Sequence, residues 1–156
     1  MTPDIRLLAD VPEFAADTAR LLAHTWPQHY GAVGAGDAVS DLVRRIRHSG
    51  LPIAVVALHG TRITGTATLS ANSFGKLDDE VPWLIGLCVA PDMRGGGLAS
   101  ALGAAIEGIA RDQGFGQVHT TTQSARGLLL RRNWQDLRTV PNQTGAHWTV
   151  MRKSLA

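Results

Sequence analysis

The chain has 156 residues, of which 18% are charged and 44% hydrophobic, with a formal net charge of +2. That is the length of one ordinary domain with enough apolar content for a core, and so small an excess of Lys and Arg gives no footprint for nucleic acid. No run approaches the ~20 apolar residues of a membrane span, and the opening MTPDIRLLADVPEFAAD places acids and prolines where a signal peptide needs an apolar core, so the expectation is a single cytoplasmic domain over 1–156.

Asp10, Pro12 and Glu13 have the spacing of a capping box, which predicts a first helix running from there to about Trp26. HYGAVGAG then reads as an irregular linker. Val39, Leu42, Val43 and Ile46 recur at helical spacing behind Asp37 or Ser40 as cap, with Gly50 as stop, and Arg44, Arg45 and Arg47 read as a solvated face. From Pro52 the period changes. IAVVAL and RITGTATLS form a hairpin about HGT, and ANSFGKLDDEVP is an exposed loop carrying Asp78, Asp79 and Glu80. WLIGLCV is apolar on both faces, as a central strand should be. Its thiol, Cys88, is the only cysteine and reads as a buried structural residue.

VAPDMRGGGLAS follows, and then Leu98, Ala101, Leu102, Ala105, Ile106 and Ile109 line one side of a helix that stops at Gly114. QVHTTT is a strand, ARGLLLRRN a short helix, and Gln135–Val140 with His147–Lys153 a closing hairpin about PNQTG. His24, His48, His59 and His147 lack ligand spacing, so no metal is expected.

A helix that begins directly after glycines offers unpaired N–H groups and the positive end of its dipole, a natural seat for phosphate. A plain strand-to-helix turn is the other reading. A Walker loop would need a lysine after the glycines, and a dinucleotide fingerprint a third glycine where Ser100 stands. The spacing Val89, Pro91, Arg94, Gly97, Ala99 instead reads VxPxxRxxGxA between a strand and a long helix. This resembles the acetyl-CoA loop of the GNAT acetyltransferase superfamily, and the element order over nearly the whole chain is similar to that family's.

The resemblance implies an α/β fold: a mixed, mostly antiparallel twisted sheet with helices on both faces and splayed central strands. It implies acetyl-CoA as co-substrate. Leu87, Cys88 and Val89 would pair with its pantetheine arm, and the backbone of Arg94, Gly95, Gly96, Gly97, Leu98, Ala99 and Ser100 would hold its pyrophosphate. The Val89 N–H would polarise the thioester carbonyl, which places Val89 in the catalytic set. The reaction implied is attack by an amine of a small-molecule or peptide acceptor, and something must take its proton. Glu80 is the first choice as base and Asp79 the second, with His119, His29 and Tyr30 as alternatives. Counting back from Val89 in steps of two gives Leu87, Ile85 and Trp83, an apolar face where the family often has Glu or His. The family's AxxLYxxxGF is represented by Ala125, Leu128, Leu129, Asn133 and Trp134, so Leu129 stands where a proton-donating tyrosine is expected; Ser124 or water are substitutes. The acceptor groove implied comprises Trp26 to Gly36, Ser73 to Glu80 and Pro141 to Gly145. A non-enzymatic acetyl-CoA sensor of the same fold is the alternative function, and a homodimer is left open.

Overall fold

The structure is a computed structural model, and it describes residues 2–141 and 145–156. Seven strands form one sheet in the order β1-β2-β3-β4-β5-β7-β6. They are β1 (Asp4–Leu7), β2 (Ile53–His59), β3 (Arg62–Ser70), β4 (Trp83–Val89), β5 (Gln117–Thr122), β6 (Gln135–Pro141) and β7 (His147–Ser154). Every pairing is antiparallel except β4 with β5. The helices are α1 (Ala15–Thr25), α2 (Pro27–Tyr30), α3 (Ala38–Arg44), α4 (Leu98–Asp112) and α5 (Arg126–Arg131).

Alternation along β2 shows why its run is apolar throughout. Ile53, Val55 and Ala57 join Leu98, Leu102 and Ile106 of α4 in one core cluster, while Ala54, Val56 and Leu58 join Leu22 of α1 and Leu42 of α3 in another. Successive strand residues point to opposite faces, so the sheet carries helices on both sides, as expected. The threonines of β3 are buried too: Thr66 Oγ1 donates to Val55 O at 2.8 Å and Thr64 Oγ1 to Ala57 O at 3.3 Å, which satisfies hydroxyls that burial would otherwise penalise.

The N-terminal reading needs correction. Asp10 and Glu13 fall in two short 3-10 turns, Leu8–Asp10 and Pro12–Phe14, and α1 starts afterwards at Ala15 with no side-chain cap. The Asp10 carboxylate instead meets His48 Nε2 at 2.8 Å. Asp37 does cap α3, accepting from the Ser40 N–H at 3.1 Å, but that helix ends at Arg44. Arg45 then turns inward and is buried, so the expectation of a wholly solvated arginine face fails there.

Candidate active site

The site is built where β4 and β5 part. The two strands pair only at Trp83 with His119 and Leu84 with Thr120, although β4 continues to Val89 and β5 to Thr122. Beyond Leu84 the opening between them is lined by two cavities of about 510 and 700 Å³.

β4 also changes face at this point. Opposite Ala67 of β3 it carries two residues, Gly86 and Leu87, because Ile85 pairs with Thr68 and Cys88 with Thr66. This is a bulge, and Gly86 absorbs it at a φ of 61°. Leu84, Leu87 and Val89 consequently belong to the α4 side, Cys88 to the α1 and α3 side. Counting in steps of two from Val89 therefore crosses faces: Ile85 lines the larger cavity beside Tyr30 and Arg45, away from Leu87.

The first cavity is lined by Leu87, Cys88, Val89, Arg94, Gly95, Gly97, Leu98, Ala99 and Ser100, with Thr25, Trp26, Met93, Ser124, Ala125 and Leu128 completing the wall. Of the ten cofactor positions named from the sequence, only Gly96 is not in this lining. Gly95 and Gly97 have φ of 83° and 85°, a left-handed backbone that glycine adopts without strain. A Cβ on either would have nothing within 4 Å, and one on Gly96 would meet only Met93 O at 4.0 Å. The loop thus presents bare backbone to the cavity. Gly97 is the N-cap of α4, and the first N–H groups of the helix that follows have no acceptor within it. The arrangement fits an anionic diphosphate.

At the other end of the loop, the Ala90 N–H donates to Thr64 O at 2.8 Å, and Val89 faces Gly65 in the ladder. Hydrogen-bonded residues alternate along an antiparallel pair, so Val89 turns its N–H and C=O away from β3 toward the space that β5 has vacated. Arg94 Nε occupies the carbonyl at 3.2 Å. The N–H faces the opening. Cys88 is buried, and desolvation pushes its thiol up to about 11, so it is a packing group and no nucleophile.

The second cavity is lined by Trp26, His29, Tyr30, Asp41, Arg45, Asn72, Ser73, Phe74, Leu84, Ile85, Gly86, Thr121 and Trp148. Phe74 and Trp148 meet edge to face, with ring centroids 6.0 Å apart. The Tyr30 hydroxyl donates to Asp41 Oδ2 at 2.7 Å, and burial with that partner pushes its pKa up to about 12. The glycines after Tyr30 serve His29: the Gly36 N–H donates to His29 O at 2.8 Å, and a Cβ on Gly36 would collide with the imidazole. Part of the groove read from the sequence is therefore assembled here, through Trp26, His29, Tyr30, Ser73 and Phe74. Residues 142–144 of its terminal hairpin lie outside the described residues.

Glu80 is elsewhere. Arg138 of β6 clasps it through Nη1 to Oε2 at 2.8 Å and Nη2 to Oε1 at 2.6 Å, and the Leu77 N–H adds 2.9 Å to Oε1. That bidentate guanidinium holds the Glu80 carboxyl down to about 2, and Glu80 lines neither cavity. A carboxylate so stabilised is a weak proton acceptor; its geometry is that of a clasp between a loop and a strand. His119 is 1% exposed, bonded to Pro82 O and stacked on Trp83. Leu129 is 4% exposed within the α4-side core with Trp134, while Leu128 and Ser124 of the same segment line the first cavity.

The sequence gives no significant match to any curated protein. Residues 17–132 match the family model described as the acetyltransferase (GNAT) family. Among solved structures, an aminoglycoside 6'-N-acetyltransferase complexed with coenzyme A superposes with a TM-score of 0.80 at 14% identity, over 98% of this chain and 97% of that one. The aminoglycoside 6'-N-acetyltransferase from Enterococcus faecium gives 0.78 at 14% identity, over 98% and 97%. N-acetylglutamate synthase from Neisseria gonorrhoeae, complexed with coenzyme A and N-acetyl-glutamate, gives 0.70 at 18% identity, over 100% of this chain and 36% of that chain.

Proposed function

The chain belongs to the acetyltransferase (GNAT) family, and from that premise we propose that it transfers an acetyl group from acetyl-CoA to the amine of a small-molecule or peptide acceptor, by direct attack with both substrates bound. The observation that carries this reading is the Val89 N–H directed into the β4–β5 opening, where the glycine-loop cavity and the aromatic cavity share Trp26.

Acetyl-CoA supplies an activated thioester. The backbone from Arg94 to Ser100 would hold its diphosphate, and Leu87 to Val89 its pantetheine arm. The amine nitrogen forms a bond to the carbonyl carbon, the carbon–sulfur bond breaks, the amine loses a proton, and the sulfur leaves with the bonding pair and is protonated to the thiol. The Val89 N–H stabilises the negative charge that gathers on the carbonyl oxygen. An amine near ~10 is about a thousandth neutral at pH 7, so a proton acceptor is needed in the second cavity. Tyr30 stays protonated at neutral pH, and both Asp41 oxygens already accept bonds, from Tyr30 and Arg44. We assign the role to His29, acting directly or through water. For the leaving sulfur we assign Ser124, one of the hydroxyls that line the first cavity with Thr25 and Ser100, or a water.

Titration calorimetry with acetyl-CoA, paired with thiol release over an amine panel, tests the reading. Binding with turnover is expected. Binding without turnover on any amine would select the sensor alternative, which the burial of Leu129 in place of a tyrosine favours; absence of binding would sink both.

A further inference from the structure

The acceptor cavity contains an arginine that the transfer chemistry leaves unused. Arg45 is 8% exposed and lines this cavity; its guanidinium donates from Nη1 to Thr68 Oγ1 at 3.1 Å and also meets the Tyr30 hydroxyl. Asp41 Oδ2 stands at a loose 3.8 Å from Nη2. A guanidinium carries five N–H donors, and burying one without a full complement of acceptors is unfavourable. It lies against the bulge of β4, where Gly86 interposes no side chain: a Cβ there would stand 3.4 Å from Nη1. The guanidinium therefore sits beside the strand segment that leads to Val89.

The cavity's acid is committed in the opposite sense. Asp41 accepts from Tyr30 at Oδ2 and from Arg44 at Oδ1, and it is the only described carboxylate in the lining. Asp78 and Asp79, on the loop before β4, line neither cavity. A polycationic acceptor would find one satisfied acid and a buried positive charge. An anionic oxygen pair would find a planar fork suited to bidentate recognition. The remaining walls combine a flat apolar surface, Trp26, Phe74, Ile85 and Trp148, with the polar Asn72, Ser73 and Thr121.

We infer that the acceptor is an amine bearing a carboxylate on the same carbon and a flat apolar side chain, an aromatic amino acid, with Arg45 holding the carboxylate. This rests on the transferase reading and names its substrate class.

The test uses the whole protein with acetyl-CoA and follows thiol release with L-phenylalanine and L-tryptophan, with their decarboxylated counterparts phenethylamine and tryptamine, and with kanamycin. The amino acids are expected to exceed the decarboxylated amines in kcat/KM by about 100-fold, because the latter leave the guanidinium's remaining donors without an acceptor. Arg45→Gln should abolish that ratio through KM of the amino acid, and Arg45→Lys should not restore it, lacking the fork. Equal kcat/KM with and without the carboxylate, or a preference for kanamycin, overturns the inference. As a second measurement, N-acetyl-L-phenylalanine should bind the CoA-loaded wild-type protein more tightly than N-acetylphenethylamine, and equal affinity overturns the inference even if the Arg45 variants do not fold. Acetyl-CoA binding with no transfer to any amine would refute the transferase reading alone, and this product comparison would still decide the carboxylate site.

Discussion

Gly96 and Gly97 are neighbours constrained by different things. Gly97 sits at a φ of 85°, so Gly97→Ala should cost about 1–2 kcal/mol of backbone strain. Gly96 is outside the left-handed region, and its Cβ would meet nothing closer than 4.0 Å. Gly96→Ala should therefore melt with the wild type and keep its acetyl-CoA affinity, because Gly96 lies outside the cavity lining; binding weakened by about tenfold in a titration would show that the diphosphate reaches this residue. His29→Gln should lower kcat/KM by about 10²–10⁴-fold with acetyl-CoA affinity intact, and an unchanged rate and pH profile would remove the imidazole from the proton path. The glycine motif was legible because its spacing is local and demands specific backbone geometry. Arg45 was not. Three arginines within four positions look alike in sequence, and only the turn after Arg44 decides that the second points beneath Thr68.

Among the elements, β4 shows the limit of periodicity. A glycine within an apolar strand is compatible with an uninterrupted strand or a bulge, and the register against β3 decides. β1 escaped for a related reason: four residues on a sheet edge, alternately exposed, are too few to establish a period, and the acids that follow imitate a capping box. In α5 the family motif aligns Leu129 with a tyrosine, but this leucine packs into the core. Leu129→Tyr should consequently destabilise the fold by about 1–3 kcal/mol through overpacking, read as a fall in Tm; a stable variant with faster turnover would show that the position can reach the thiol after all. The Glu80–Arg138 clasp carries a pH signature. Its carboxyl is lowered from an ordinary 4.5 to about 2, so the clasp's contribution is fully present above about 4.5 and is lost as pH falls through about 2. Arg138→Gln should lose on the order of 1–3 kcal/mol at pH 7, with the gap to wild type closing between those two values. Urea denaturation across that range checks it, and a constant gap would mean the arginine acts through packing alone.

For the molecule as a whole, the element order after β1 was readable because it depends on hydrophobic period and turn chemistry over ten or more residues, while the helices on both faces of the sheet were expected from the family resemblance. The acceptor cavity was only partly readable, since it is gathered from α2, α3, β4, the loop before it, β5 and β7. No single segment advertises such a place. No described helix is long and apolar enough to cross a membrane. Trp26, at the end of α1, forms wall for both cavities, and an indole shifted by one occupant would couple the two binding equilibria. Whatever factor an occupant of one cavity imposes on affinity at the other must be returned in full, since the cycle of four liganded states closes. Titrating acetyl-CoA with and without a saturating acceptor-site ligand measures that factor, and Trp26→Ala should bring it close to one. A single indole would then set how tightly each substrate holds the other.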